Sequence, residues 1–520
     1  MFLIFDTETT GLPKKWNAPL SDSENWPRCV QIAWQIHDFS GECIENRSFL
    51  IKPEGYTIPY EAEKIHGIST SLANLKGEKI NKVLNTFLDS LSKCKYICGH
   101  NVKFDINIIG AELFRIGQEN KIDQFSVIDT CSEITAEITK LPGGRGGKFK
   151  FPTLSELYFN LFDENFLEAH NATADVEATS RCLIELFRRN IFRNDFVEGI
   201  DQIQNKIQEQ FNDIIPLLGL KHESFKLASE KLKSKEENLK SIPLKEDIDS
   251  SITDDKSFSH LHVHSQFSIL QSTSKISNLV SKAIDYKMPA IALTDHGNLM
   301  GSFRLIKEVK NYNNNILEDR DKIKPIIGCE FFVCEDHLDK TRRNDGYQIV
   351  FLAKSKKGYD NLSKMSSISF KEGFYYVPRI DKGIVEKYKE DIIVLTGNLY
   401  GEVPSKILNI GLKQGEESLL WWKNNFGDDL YIEIMRHSQD DEDAVNESLI
   451  SLSKKHKISL VATNNTYYTE KSQANAHDIL LCVKDGEKQS TPIGKGRGFR
   501  YGLINQEYYF KSQEEMKKVF

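Results

Sequence analysis

Acidic residues that directly follow buried-looking apolar runs, far apart in the chain, constrain this sequence more than any other feature. Phe2-Leu3-Ile4-Phe5 reads as a buried strand, and Asp6-Thr7-Glu8 follows at once. Residues two apart on a strand share a face, so Asp6 and Glu8 point the same way. Asp105 closes the run Gly99-His100-Asn101-Val102-Lys103-Phe104-Asp105, and residues 106–116 read as a helix. That puts Asp105 at a strand-to-helix junction. Ala174, Ala178, Cys182 and Leu186 recur every four residues, a helical core stripe. Asp175 then falls in the first turn of that helix, with His170 on the loop before it.

Any one of these clusters alone reads as a solvated turn or a helix cap. The ordered set, each member behind its own apolar run, points to convergence. Four carboxylates suit two Mg²⁺ or Mn²⁺ ions about 3.5–4 Å apart, which stabilise the attacking and leaving oxygens of a phosphodiester. A histidine titrates near neutrality and suits removal of a proton from water.

These residues resemble the DEDD superfamily of 3′–5′ exonucleases, in the branch whose fifth residue is histidine. The resemblance runs from Met1 to about Arg189 and includes Ile65-His66-Gly67-Ile68, Ile128-Asp129-Thr130 and the His-x4-Asp spacing of His170 and Asp175. It implies an RNase H-like α/β domain. Asp6, Glu8, Asp105 and Asp175 would hold two Mg²⁺ (or Mn²⁺) ions, and His170 would be the general base. Thr7, Thr9 and His66 would contact the terminal nucleotide.

A chain of 520 residues exceeds one ordinary core. Apolar content of 39% and charged content of 28% fit a soluble globular protein. No apolar stretch approaches the length needed to span a bilayer, and nine cysteines without paired metal-site spacing suit a reducing cytoplasm. The net charge of −7 argues against tight independent binding to DNA, so another domain or partner is expected to supply most of the grip.

Phe196, Ile200, Ile203, Ile207, Phe211 and Ile214 fall at helical spacing, closed by Pro216 and Gly219. Residues 226–257 hold no aromatic residue and many Lys, Glu, Asp and Ser, the composition of a flexible, partly helical linker. The texture changes after Phe258. Seven β-type runs lie near residues 261–264, 290–294, 323–333, 347–353, 392–396, 430–435 and 459–463, with helical or polar segments between them. Residues 276–284 are an amphipathic helix. The alternation predicts a parallel sheet closed into a seven-stranded (β/α) barrel. Its chemistry would gather at strand ends, at His262, His264, Asp295, His296, Glu330 and His437.

This half resembles the PHP domain of bacterial replicative polymerase alpha subunits. His260-Leu261-His262-Val263-His264-Ser265, Leu293-Thr294-Asp295-His296-Gly297-Asn298 and Ile327-Gly328-Cys329-Glu330 carry the resemblance. Gly373-Phe374-Tyr375-Tyr376-Val377-Pro378-Arg379 and Ala476-His477-Asp478-Ile479-Leu480-Leu481-Cys482 are similar to the polymerase version in particular. The family's trinuclear centre has nine ligand positions, of which five are kept: His262, His264, His296, Glu330 and His437. Gln271, Gln348, Asn465 and Tyr467 stand at the other four. Amides are poor transition-metal ligands. Zinc or manganese is therefore expected to be absent or partial, with His262, His264 and Glu330 able to hold one ion.

The expected organisation is an exonuclease domain over 1–190, a helix and charged linker over 191–257, a PHP domain over 258–485 and the start of a polymerase domain over 486–520. Gly494 to Gly502 reads as a basic, Gly-rich loop, and Glu514 to Phe520 as the start of a helix. The resemblance implies the N-terminal part of a replicative DNA polymerase whose nucleotide-adding residues lie beyond Phe520. The expected substrate is a DNA 3′ end, single-stranded or frayed. The expected partners are replisome subunits such as a sliding clamp and clamp loader, with no membrane. A stand-alone exonuclease, a working PHP phosphoesterase and a non-enzymatic scaffold are the competing readings.

Overall fold

Phe2, Leu3, Ile4 and Phe5 are buried on both faces because the strand they begin, β1 (Phe2–Thr9), is the centre of a sheet. This computed structural model describes every residue except 24, 144–147, 167–168, 193–196, 214, 221–223, 241–256, 319–321, 342 and 495–498, and only the backbone of 233–240. Phe196 and Ile214 of the helical stripe, half of the charged stretch 226–257 and the middle of the basic loop lie outside the described residues. The chain divides into two compact units, Met1–Leu244 and Lys245–Phe520.

In the first unit β1, β2 (Cys29–His37), β3 (Cys43–Leu50), β4 (Tyr96–Gly99) and β5 (Ser126–Asp129) form one sheet in the order β3-β2-β1-β4-β5. β1 pairs antiparallel with β2 and parallel with β4. Nine helices accompany these strands: α1 (Tyr60–His66), α2 (Thr70–Lys76), α3 (Ile80–Leu91), α4 (Lys103–Arg115), α5 (Glu133–Thr139), α6 (Leu154–Phe162), α7 (Ala172–Arg188), α8 (Ile200–Gln210) and α9 (Phe225–Lys240) among the described residues. Phe2 and Ile4 join a core with Val176, Cys182 and Leu186 of α7 and Ile203 and Ile207 of α8. Leu3 and Phe5 face the other way, into a core with Val83 and Phe87 of α3 and Ile108 and Ile109 of α4. The alternation continues past Phe5, so Asp6 and Glu8 leave on the α7 face and Thr7 on the α4 face.

Two expectations change here. α4 begins at Lys103, so Asp105 lies within its first turn rather than at the junction before it. The segment read as a linker starts as α9, which packs on the sheet domain. Phe225, Ala228 and Leu232 recur at helical spacing and cover a core of Val30, Leu50, Ile58, Ala62, Ile68, Leu72 and Ala73. The Ser229 hydroxyl donates to Gly67 O (2.7 Å) and accepts from Ser69 N (3.1 Å). Gly67 ends α1 at φ 75°, and a Cβ there would stand 2.6 Å from Lys226 N. Glycine is therefore required at that position both for its backbone angle and for the approach of α9.

The second unit is built on β6 (Ala290–Leu293), β7 (Lys324–Cys334), β8 (Tyr347–Ala353), β9 (Arg379–Asp381), β10 (Ile392–Leu395), β11 (Leu430–Met435) and β12 (Ser459–Thr463). They form a seven-stranded sheet in the order β12-β11-β10-β8-β7-β6, with β9 on β7. Its helices are α10 (Ile276–Asp285), α11 (Ser302–Asn313), α12 (Lys356–Lys371), α13 (Lys382–Tyr388), α14 (Glu402–Asn409), α15 (Leu412–Phe426), α16 (Asp440–His456), α17 (Ala474–Asp485) and α18 (Gln513–Val519).

The count of seven strands matches the expectation, but the membership and direction do not. The run 261–264 is not a strand, and β9 takes its place in the count. β8 runs antiparallel to both β7 and β10, so the sheet is mixed. Residues 260–264 instead bridge its two ends. Ala292 N donates to His260 O (3.0 Å), Thr294 N to Val263 O (2.8 Å), Thr466 N to His262 O (3.2 Å) and His264 N to Thr466 O (2.9 Å). The curled sheet is thus joined by an irregular segment, and this segment carries His262 and His264. Among the described residues no helix is long and apolar enough to cross a membrane.

Replacing Ser229 by Ala removes both ties of α9 and leaves the buried Ser69 N–H without that acceptor. The expected loss is about 1–3 kcal/mol of first-unit stability, read from denaturant midpoints of the whole chain. An unchanged midpoint would mean that α9 does not hold this position.

Candidate metal centres

β1 and α7 together bring the first three acids into one place. Asp6 and Glu8 project from β1 toward α7, and Asp175 sits in the first turn of α7. One ligand oxygen from each lies within 4.8 Å of the others. Asp105 stands outside that group. Its Oδ1 accepts from Thr7 N (3.0 Å) and Thr7 Oγ1 (2.6 Å), which fastens α4 to the strand between Asp6 and Glu8. Asp105 is still near enough that its charge is felt by both neighbours.

Electrostatics mark the cluster as unstable by itself. Burial, then Asp105, Asp175 and Glu8, hold the Asp6 carboxyl well above its usual range. Burial followed by Asp175 and Asp105 pushes Glu8 up to about 8. Burial raises Asp105 to about 7 against the opposing bonds from Thr7. It raises Asp175 to about 7 against the His170 N–H, which donates to Asp175 Oδ2 (3.1 Å). Crowded acids of this kind either keep protons or take up cations. The donor set is all oxygen, as Mg²⁺ or Mn²⁺ prefers.

His170 lies just before α7 at φ 70°, with its side chain exposed. His66 is buried; its Nδ1 accepts from Ile68 N (3.1 Å), and burial lowers it to about 4, with the nearby His170 adding to the effect. A hydrogen bond to the Thr9 backbone opposes that shift without overcoming it. The hydroxyl of Thr7 is taken by Asp105, and that of Thr9 donates to Gly11 O (2.7 Å).

Two positioning residues were not singled out from sequence. Gln31 pairs with Glu8 in the β1–β2 register. Its Oε1 accepts from Ala172 N (3.1 Å), and its Nε2 lies 3.3 Å from both Asn171 Oδ1 and Thr173 Oγ1. One buried amide therefore fixes the start of α7, and with it Asp175. Asp129 accepts from Asn101 N (2.8 Å) and Val102 N (3.1 Å), fixing the turn that leads into α4 and Asp105. Asn101 takes φ 59° in that turn. The motif Ile128-Asp129-Thr130 was visible, but its link to Asn101 was not.

The second unit holds another cluster. One ligand atom each of His262, His264 and Glu330 lie within 4.8 Å of one another, and all three residues are buried. His262 Nε2 is 3.2 Å from Glu330 Oε1, and His296 Nδ1 is 2.9 Å from Glu330 Oε2. Glu330 lies inside β7 rather than at its end, and bridges to His296. His437 is placed apart from this group. Its Nδ1 pairs with Glu442 Oε1 at 2.6 Å and its ring stacks on Tyr508 at 4.2 Å. Asp295 accepts from Ser265 and Ser268.

Sequence reading missed Glu433. It is a buried acid inside the apolar strand β11, and its Oε1 is 2.9 Å from His262 Nδ1. A charge interrupting Leu430-Tyr431-Ile432 and Ile434-Met435 was the available signal. Burial would lower His262, but Glu433 and Glu330 outweigh it and push the ring up to about 10. Burial and the neighbouring His296 hold His264 well below its usual range.

Three of the four substituted positions use their side chains on neighbours. Gln348 Oε1 accepts from Asn398 (3.0 Å), Asn465 Oδ1 meets His264 Nε2 (3.0 Å), and Tyr467 stacks on His264 at 4.6 Å. The backbone carbonyl of Gln271 meets His477 Nε2 at 2.8 Å. The side chains present do not fit a three-metal centre. They fit one ion at His262, His264 and Glu330, whose ligand atoms already lie within 4.8 Å of one another.

Residues 3–183 match the family model described as exonuclease, and residues 260–437 match that of the PHP domain. The chain therefore joins an exonuclease domain to a PHP domain. Among curated proteins it is similar to DNA polymerase III subunit alpha. It is 40% identical to that of Borreliella burgdorferi over 267 residues and 36% identical to that of Aquifex aeolicus over 275. Each alignment covers 51% of this chain and 22% of the relative, so the chain spans about a fifth of the length of these relatives. A solved structure of E. coli exonuclease I with a dT13 oligonucleotide overlaps 36% of this chain and 40% of its own, at 24% identity and a TM-score of 0.29. An overlap that low carries no further weight.

The raised carboxyls imply a definite pH dependence. Folded, they bind protons that ordinary carboxylates (about 4) release when unfolded. Their stabilising effect is complete below pH ~4 and is lost as pH rises through the values of about 7 for Asp105 and Asp175 and about 8 for Glu8. In EDTA the first-unit melting midpoint should fall from pH 5 to pH 8, with Mg²⁺ restoring it and Asp175→Asn flattening the slope. A midpoint that does not fall would contradict the crowding. Gln31→Leu should raise the Mg²⁺ concentration needed for half-maximal activity by roughly tenfold, as loss of a group that orients a ligand does. An unchanged requirement would show that Gln31 does not position Asp175.

Proposed function

We propose that residues 1–190 hydrolyse the 3′-terminal phosphodiester of DNA, releasing nucleoside 5′-monophosphates. The observation that carries this reading is the meeting of Asp6, Glu8 and Asp175, with Asp105 strapped beside them by Thr7. Asp6, Glu8, Asp105 and Asp175 hold two divalent ions, with Mg²⁺ the expected species. When bound, these ions supply the positive charge that stabilises the attacking and leaving oxygens. The ring of His170 takes the proton of the attacking water. That water's oxygen bonds to phosphorus as the bond to the 3′ oxygen breaks, and the 3′ oxygen leaves as a hydroxyl once protonated. Exposure of His170 lets it return its proton to solvent after each turnover. His66, neutral through burial, and Thr9 line the place of the terminal nucleotide.

The similarity to DNA polymerase III subunit alpha supports a place in a replicative polymerase, where the nuclease proofreads the primer end. In this reading α8 and α9 complete the nuclease unit and the stretch after Lys240 leads on to the PHP domain over 258–485, with 486–520 the beginning of the polymerase domain. The protein works in the cytoplasm with a sliding clamp and clamp loader. The PHP domain, with His262, His264, His296, Glu330 and His437 kept, acts as a scaffold holding one ion at most.

The test is digestion of 5′-labelled single-stranded DNA with Mg²⁺. Asp6→Ala and Asp175→Asn should each lower kcat by about 10²–10³-fold or more, since the site supplies most of the charge stabilisation. His262→Ala should not change this activity. Retained digestion by Asp6→Ala would refute the assignment, and loss on His262→Ala would move the chemistry to the PHP domain.

A further inference from the structure

Between β1 and β2 the chain makes an excursion that brings an indole to the edge of the first site. Trp16 is 54% exposed, although tryptophan is normally well buried. Its ring lies 5.8 Å from that of Phe104 at 54°. Phe104 immediately precedes Asp105, so the aromatic pair adjoins the acid that Thr7 straps to β1.

The loop carrying Trp16 is held in place. Lys15 N donates to Asn25 Oδ1 (2.7 Å), Asn25 Nδ2 donates to Lys15 O (3.0 Å) and Trp26 Nε1 donates to Pro19 O (3.1 Å). Asn25 is itself buried. A clamped, half-exposed indole presents a fixed apolar face at little conformational cost. Lys14 and Lys15 flank it on the loop, and Lys103 flanks Phe104. All three are exposed and, among the described residues, have no carboxylate partner. Three unpaired lysines therefore stand within two positions of the two aromatic residues along the chain.

Unpaired cations beside exposed aromatic rings suit an unstacked, single-stranded polynucleotide. The lysines meet phosphates and the ring meets a base face, without regard to sequence. We propose that Trp16, backed by Phe104, is a stacking platform for a base of the single-stranded 3′ segment, with Lys14, Lys15 and Lys103 meeting its phosphates. This rests on the nuclease reading and adds a substrate-length preference to it. A paired end offers no free base face, so the platform favours frayed over annealed termini.

The full chain is tested with Mg²⁺ on thymidine di-, tetra- and octanucleotides. In the wild type KM should fall as length increases. Trp16→Ala should raise KM for the octanucleotide about 10- to 100-fold, the range expected for one stacked base, without a matching fall in kcat, and Trp16→Phe should recover most of the loss. A KM series identical to wild type, or a fall in kcat with KM unchanged, would overturn the platform. Fluorescence gives a second readout that needs neither cleavage nor the alanine variant. In EDTA the octanucleotide should quench wild-type emission more than that of Trp16→Phe, and equal quenching would overturn the proposal. If the wild type digests nothing, the nuclease reading fails, and the quenching comparison still decides whether Trp16 stacks on bases.

Discussion

Mutual repulsion among desolvated carboxylates is the constraint on which the first unit depends. Asp6, Glu8, Asp105 and Asp175 gain nothing from one another, and burial raises each of them. The fold keeps them together by other means. β1 is buried on both faces and cannot move away. Thr7 straps Asp105, Gln31 fixes the start of α7, and Asp129 fixes the approach to α4. These bonds join residues 98, 141 and 28 positions apart in the chain, and a site crowded in this way is ready for cations.

The cluster in the PHP domain answers the same problem in the opposite way. There the acids are interleaved with imidazoles. Burial would raise Glu330, but His296 and His262 hold it well below its usual range. His262 is in turn held high by Glu433 and Glu330. One set of acids has no internal cation and calls for an external one; the other is neutralised largely from within. That contrast supports assigning chemistry to the first domain and a scaffolding part to the second.

How much could be read in advance follows from which interactions leave a local trace. The strand ahead of Asp6 and the helix carrying Asp175 were legible because continuous burial and a four-residue stripe are local patterns. The start of α4 was misplaced by a few residues because the turn before it depends on Asp129, a distant acceptor. Gln31 was invisible for the same reason, since a buried amide on a strand leaves no period. α9 hid inside a charged composition because three small contacts suffice to dock it. In the PHP domain the number of strands was legible but their direction was not. The stretch between β7 and β8 has Leu338 as its only aliphatic residue and so offers no apolar stripe for a crossover helix, which was the overlooked sign of an antiparallel pair.

The central claim is that sequence-distant acids share divalent ions, and calorimetry with Mn²⁺ in the presence of thymidine 5′-monophosphate tests it most directly. The wild-type chain should take up two ions that Glu8→Gln/Asp175→Asn does not, with protons released on binding at pH 7. Equal uptake by the wild type and the double variant would contradict the account.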